Sequence, residues 1–522
     1  MRVTQMSGRC ISGHRTRLLL ATVLCLLLVW STRYFPTEEG PRLLSLATTK
    51  NCMWDAESPA NGIFRPTTTT LAPSNAILGV LSLLLRHVSP WTSEKILVTV
   101  YVVAMVHASL FLLRCVSPAG RHAYYYFPLC LLLVFNRALF KGFYAHCLAM
   151  PVVIWAVSVA YRTRDQGNAV SLSLVTFLLT ALYFIDLGMC CLAIGFVLIT
   201  LSTNCIRNRI AFISLVPAVV LAVFWLYRLH AFSSRDTYAL IPMLTHWWSG
   251  HLSATYLLDQ LKDLQLELFE AQQLPSLPQQ GLLLTMFLIW TAVLSYSFKP
   301  PTLTRIRRWC RTRWRVGGVG LCAVILYFVL PNSLQAHGSY IHTRVAVFPV
   351  LFAIAGLRPP TQRIRPLVSA GMYIFVLLNF GLLWTFFVNS GKELAVFSEQ
   401  CPIPPGSVVY SHEAIFPNRF INIFRYAGDR VCVHNNCVNV NLIHASFPTS
   451  SIRYCNEYSS GHFEQRHDRL VRLAQYILTF QESLEPRFLE GRSQTLLRQY
   501  GDLNLLQLVR SHQGSTHATA TK

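Results

Sequence analysis

Long runs of apolar residues are the feature that most constrains how this chain can fold. A helix needs roughly 17–25 such residues to cross a hydrocarbon core of about 30 Å, whereas shorter runs are also compatible with core helices. The runs lie near residues 18–33, 96–113, 122–135, 143–160, 169–185, 187–203, 210–227, 281–298, 316–330, 345–357 and 367–388. This pattern predicts an all-α polytopic membrane protein with about 10–11 transmembrane helices.

The composition agrees with this fold class and argues against two others. Of the 522 residues, 53% are hydrophobic and 13% are charged, whereas soluble proteins have about 25% charged residues. This balance argues against an ordinary cytosolic enzyme and against a disordered chain. The first apolar run follows Arg15 and Arg17, so it is compatible with a transmembrane helix or with the apolar part of a cleaved signal peptide.

The net charge of +22 is unevenly distributed. If the amino terminus is cytoplasmic, the predicted inner loops contain 20 of the 45 Lys and Arg residues but only Asp165 among the 23 acids. These loops are residues 1–17, 114–121, 161–168, 204–209, 299–315 and 358–366. Short loops rich in Lys and Arg mark the cytoplasmic side. The basic cluster at 299–315 suits anionic lipid headgroups, and we expect a lipid bilayer rather than nucleic acid as the partner.

This topology divides the chain into three parts. A cytoplasmic basic tail at 1–17 precedes a multi-spanning membrane domain at 18–388, and an extracytoplasmic domain follows at 389–522. The membrane domain has substantial outer loops at 34–95, 228–280 and 331–344. The stretches 406–410 and 430–433 have strand-like patterns, so we expect the last part to be a small α/β domain.

Five cysteines lie in the predicted outer regions: Cys52, Cys401, Cys432, Cys437 and Cys455. An oxidising compartment allows four of them to pair, most simply the four in the C-terminal domain. Cys52 would then be free, or it would join the first outer loop to that domain. The alternative is a zinc site around Cys432 and Cys437, although their spacing is at the edge of the usual zinc pattern.

Asp186 is an acid within otherwise apolar sequence. The apolar stretch from 169 to 203 is too long for one span, so we predict two spans joined by a tight turn at Asp186 on the outer side. Two compatible roles are open for this residue. It caps the following helix, because Asp is a favoured N-cap, or it contributes to a substrate-binding site.

Two further groups place cations at the predicted outer boundary. Arg137 and Lys141 are four residues apart and share a helical face, so they are candidates for holding a phosphate, with snorkelling at a helix end as the alternative. The loop before the span at 345–357 contributes His337, Tyr340, His342 and Arg344. An arginine can donate two hydrogen bonds to a phosphate or carboxylate, whereas the histidines are acid/base groups, ligands or ordinary solvated residues.

Several short segments follow one another in a distinctive order. They are Phe135-Asn136, Gly142-Phe143 leading into Leu148-Ala149-Met150-Pro151, the junction from Leu182 to Leu187, and the loop from Pro331 to Arg344. A long acidic first outer loop and an extracytoplasmic tail complete this order of features. The order resembles the bacterial members of the GT-C class of integral-membrane glycosyltransferases, and the resemblance covers about residues 20–390.

The resemblance implies transfer of a sugar from a polyprenyl-phosphate carrier to a lipid, glycan or protein acceptor on the outer face of the membrane. The catalytic acid of this class is usually in the first outer loop, where this chain has Glu38, Glu39, Asp55 and Glu57. A carboxylate there would deprotonate the acceptor hydroxyl. Cations such as Arg344, with Arg137 or Lys141, would stabilise the departing phosphate.

Two other functional classes stay open. A transporter or flippase would expose charged groups alternately to both sides of the membrane, and a non-catalytic scaffold would display the C-terminal domain to partners. The residues indicate no cofactor, and a divalent cation remains an alternative. No N-x-S/T sequon lies in the predicted outer regions, which favours a bacterial inner membrane over the secretory pathway.

Overall fold

The computed structural model describes residues 6–66, 73, 75–116, 123–166, 169–201, 212–233, 303–330, 341–357, 365–399, 401, 403–411, 423–441, 452–455, 469–479, 492–500 and 503–510. Most of them are helical. The candidate residues His337 and Tyr340 lie outside the described residues, as do the predicted span at 281–298 and most of the predicted loop at 228–280.

Most of the longer described helices coincide with apolar runs of the sequence, and shorter helices occupy the segments between and after them. The described helices are α1 (Met6–Trp30), α2 (Gly40–Cys52), α3 (Pro59–Ile63), α4 (Asn75–Leu84), α5 (Pro90–Val116), α6 (Ala123–Leu131), α7 (Arg137–Phe140), α8 (Tyr144–Gln166), α9 (Ala169–Ile185), α10 (Leu187–Leu201), α11 (Val216–Ser233), α12 (Leu303–Val329), α13 (Ile341–Val345), α14 (Val347–Gly356), α15 (Arg365–Glu399) and α16 (Ala427–Asn435).

Within the described part of the chain, three helical segments are long and apolar enough to cross a membrane. They are Pro90–Val116, Tyr144–Thr163 and Pro366–Glu399. Shorter apolar helices occupy most of the other predicted spans, for example Leu18–Trp30, Ala169–Ile185 and Leu187–Leu201. The structure therefore supports a helical protein with membrane-spanning segments.

The chain forms two compact units. Unit 1 comprises Met1–Thr37, Thr70–Val80 and Trp91–Gly391, and unit 2 comprises Glu38–Thr69, Leu81–Pro90 and Lys392–Lys522. Most of the predicted first outer loop thus belongs to the same unit as the C-terminal part of the chain. In unit 1, α8 packs against α9 and α10, α10 contacts α12, and α12 packs against α14.

Unit 2 contains a small mixed sheet. Its strands are β2 (Val408–Ser411), β3 (Val438–Asn439), β5 (Tyr476–Thr479), β6 (Arg492–Tyr500) and β7 (Leu503–Arg510), in the order β3-β2-β5-β7-β6. β2 is parallel to both β3 and β5, whereas the β5/β7 and β6/β7 pairs are antiparallel. A separate two-stranded ladder joins β1 (Phe64–Pro66) to β4 (Ile452–Tyr454) in antiparallel register.

Three predicted element types or bounds differ in the structure. The stretch 430–433, predicted as a strand, belongs to helix α16, because the parallel strands β2 and β3 need a crossover connection between them. The basic stretch predicted as an inner loop at 299–315 is helical from Leu303 onward. Helix α15 continues to Glu399, past the predicted domain boundary at 389.

Candidate functional site

A tight corner between α7 and α8 organises the candidate site of unit 1. Asn136 caps α7, since its Oδ1 accepts a hydrogen bond from Leu139 N at 3.2 Å. Gly142 has a φ of 78° and ends α7 with two bonds of the Schellman type, Gly142 N to Leu139 O at 2.9 Å and Phe143 N to Ala138 O at 3.0 Å. This corner sets the position of Phe143 and starts α8 at Tyr144.

Asp186 joins α9 to α10 and makes contacts in two directions. Its Oδ1 accepts a hydrogen bond from Met189 N at 3.0 Å, so the residue caps α10. Its Oδ2 lies 3.7 Å from His146 Nδ1 and 4.0 Å from Arg344 Nη1. The capping role predicted from the sequence is therefore present, and the second carboxylate oxygen lies near two basic side chains.

Arg344 is the most accessible member of this group. Its guanidinium lies over the Phe143 ring, 4.7 Å from the ring centroid, and its side chain is 32% exposed. Helix α13, which carries Arg344, packs against α7. Arg137 is the first residue of α7 and Lys141 is its C-cap, so the structure brings the three predicted phosphate-binding cations into one region of unit 1.

His342 is only two residues from Arg344 in sequence but belongs to the core. Its side chain is buried, and its ring packs edge-to-face against Tyr327 with centroids 5.8 Å apart. A buried ring of this kind supports the packing of α13 against α12. Its environment thus differs from that of a solvated loop histidine.

A second buried polar cluster in unit 1 was not predicted from the sequence. Glu94 Oε1 accepts hydrogen bonds from Tyr144 Oη and, at 3.2 Å, from Thr37 Oγ1. The Thr37 and Tyr144 hydroxyls are themselves 3.1 Å apart. The sequence assigned residues 91–95 to an outer loop, whereas α5 begins at Pro90 and buries Glu94 completely. The sequence feature that could have identified Glu94 is its position as an acid next to the start of a long apolar run.

The four candidate catalytic acids of the first predicted outer loop lie in unit 2, in different surroundings. Glu38 is buried, and its Oε2 lies 3.9 Å from Arg425 Nη1. Glu39 is half-buried at the N-terminus of α2. Asp55 and Glu57 are exposed and two residues apart, with Glu57 N donating to Asp55 Oδ1 at 3.1 Å. The last two line a cavity of about 150 Å³ that Cys52 and Cys437 also line.

The predicted disulfides are not formed in the structure. None of Cys401, Cys432, Cys437 and Cys455 is in a disulfide, and the first three are buried as small apolar residues. The Cys437 thiol donates to Pro404 O at 3.3 Å, and burial raises its pKa to about 11. Among the described residues, no three His, Cys, Asp or Glu side chains come together as metal ligands.

No family model and no curated protein matches this chain.

Proposed function

We propose that the protein is an integral-membrane glycosyltransferase of the GT-C type. It transfers a sugar from a polyprenyl-phosphate carrier to an acceptor on the outer face of a membrane. The observation that carries this proposal is the grouping of Arg344, Arg137 and Lys141 around the α7–α8 corner, at the ends of apolar helices. The charged group of a lipid-linked phosphate lies at the membrane surface, where apolar spanning helices end.

The grouping suits the chemistry of the leaving group. Glycosyl transfer builds up negative charge on the departing lipid phosphate, so cations placed beside it stabilise the transition state. A guanidinium can donate two hydrogen bonds to one phosphate. Arg344 is partly exposed, and it lies 4.0 Å from Asp186 rather than in a close hydrogen-bonded pair. Its donors therefore remain available to a phosphate.

The general base is assigned to the first loop, to one of Glu38, Glu39, Asp55 and Glu57. A carboxylate is needed because the acceptor hydroxyl must lose a proton as it attacks the sugar. Asp55 and Glu57 are exposed, so substituting them tests chemistry with little effect on folding. Glu38 is buried beside Arg425, so its substitution needs a stability control.

The proposed membrane arrangement has about 10–11 spans with a cytoplasmic amino terminus, in a bacterial inner membrane. The three long apolar helices and the shorter ones support the multi-span arrangement, and the 20 Lys and Arg residues of the short predicted inner loops support the sidedness.

The first test is ligand binding and transfer. Purified protein is analysed for co-purifying polyprenyl phosphate by mass spectrometry, and transfer is assayed with a panel of polyprenyl-phosphate sugars. We expect R344Q to lose the lipid and the activity, and we expect R137Q and K141Q to weaken both. Substrate accumulation in sealed vesicles without transfer would instead favour a transporter.

The second test is the carboxylate series E38Q, E39Q, D55N and E57Q. Loss of the base lowers the rate by about 10²- to 10⁴-fold, while lipid binding is retained because phosphate binding is assigned to other side chains, Arg344, Arg137 and Lys141. Full activity in all four variants would contradict the assigned base. If the protein also binds no polyprenyl phosphate, the scaffold alternative is favoured.

A further inference from the structure

His146 is a buried polar residue on the first turn of α8 to which the sequence assigned no role. Its side chain is 1% exposed, and its Nδ1 atom faces the Asp186 carboxylate. Neither ring nitrogen makes a direct hydrogen bond by distance and angle. Burying polar nitrogens without close partners costs free energy, so a buried imidazole in this position indicates a structural or functional role.

Asp186 Oδ2 is shared by two basic groups. It lies 3.7 Å from His146 Nδ1 and 4.0 Å from Arg344 Nη1, and both distances exceed that of a direct hydrogen bond. The carboxylate oxygen is thus closer to the imidazole than to the guanidinium. Its other oxygen is bound by Met189 N, which holds the carboxylate at the start of α10.

The sharing determines how strongly Asp186 attracts Arg344. A buried carboxylate must be neutralised by nearby donors or cations. With His146 present, part of this requirement is met by the imidazole. Without it, Arg344 is the remaining cation beside Oδ2 among the contacts that the structure describes, and the carboxylate would draw the guanidinium inward, away from the exposed side.

The geometry points to His146 as a positioning residue that holds Asp186 off Arg344 and so keeps the guanidinium available to a phosphate monoester. This inference rests on the proposed function, because it concerns the same phosphate-binding arginine. His146 itself is too deeply buried to touch the phosphate, so its effect is transmitted through Asp186.

The test measures binding of farnesyl phosphate to the full-length protein in phosphatidylcholine nanodiscs by isothermal titration calorimetry, with farnesol as the uncharged control. We expect H146L to raise the Kd about tenfold, which corresponds to about 1.4 kcal/mol of binding free energy. H146N keeps an N–H donor near the position of Nδ1 and should bind almost as the wild type does. H146Q places its amide near Nε2 instead and should resemble H146L.

A double-mutant cycle separates positioning from a general packing defect. In a D186N background the carboxylate charge is absent, so adding H146L should leave the Kd unchanged. An equal effect of H146L in both backgrounds would overturn the inference. So would equal binding by the wild type, H146N and H146Q, a comparison that remains available if H146L does not fold.

The same titrations distinguish this inference from the proposed function. If wild type and R344Q bind farnesyl phosphate equally, phosphate binding by Arg344 is wrong and the proposed function fails with it. If R344Q loses binding while every His146 variant keeps it, the proposed function stands and the role of His146 is wrong.

Discussion

At the scale of single residues, the pKa of the Cys52 thiol depends on the negative charge of Asp55 in the cavity of unit 2. Burial raises the pKa of its thiol, and the nearby Asp55 carboxylate raises it further. D55N should therefore lower the pKa of Cys52 and increase its thiolate fraction at about pH 8. We expect iodoacetamide to alkylate Cys52 about two- to fivefold faster in D55N, as measured by mass spectrometry of the Cys52 peptide.

Glu57 provides the matched control for this experiment. It lines the same cavity but is not among the causes of the shift at Cys52. E57Q should therefore leave the alkylation rate unchanged. An equal acceleration in both variants would mean that the cavity opens rather than that one charge is removed.

The sequence predicted some residues of the unit 1 site and missed others for a physical reason. Asp186 could be predicted, because a carboxylate in apolar sequence is conspicuous and Asp is a favoured helix cap. His146 could not, because a single histidine in an apolar run is compatible with ordinary burial. Its contact with Asp186 depends on the packing of α8 against α10, which no local pattern specifies.

At the scale of elements, helix α16 packs closely against β2, the strand that is parallel to both β3 and β5. A Cβ added at Gly428 would lie 2.0 Å from Ser411 Cβ, so the helix can approach the strand only with glycine there. G428A should destabilise the protein by about 1–3 kcal/mol, as overpacking does. Thermal unfolding followed by tryptophan fluorescence measures this loss.

Two companion variants make the cause specific. S411G removes the clashing Cβ, so S411G/G428A should be less destabilised than the sum of the two single changes. G62A, in α3 of the same unit, adds a Cβ that meets nothing within 4 Å and should be close to neutral. If the double variant shows no coupling, the contact between Gly428 and Ser411 does not limit the packing.

The elements themselves were predictable where periodicity and length agree, as for the spans near α5, α8, α9 and α10. They were not predictable where tertiary packing decides whether a segment forms a strand or a helix. Residues 430–433 carry valines in alternation and yet form a helix, with Gly428, Arg430 and Val431 all buried. When both faces of a segment are covered, alternation no longer separates strand from helix.

At the scale of the whole molecule, the β1–β4 ladder constrains the membrane topology. Phe64 pairs with Tyr454 and Pro66 with Ile452, so both ends of the intervening chain lie on the same side of a membrane. The number of spans between residues 66 and 452 must then be even. The sequence predicts ten runs there, from 96–113 to 367–388, which agrees with this parity.

Fusions in a bacterial host test parity and sidedness together. Alkaline phosphatase joined after residue 66 or at the C-terminus should be active and green fluorescent protein at the same points dark, because both points are predicted to face the periplasm. Insertions within 358–364 should give the opposite result, since the surrounding basic loop is predicted to be cytoplasmic.

If residue 66 and the C-terminus report opposite sides, the span count is wrong. If both report the cytoplasm, the parity stands but the outer placement of the first-loop acids fails, and with it their role as the base for a periplasmic acceptor.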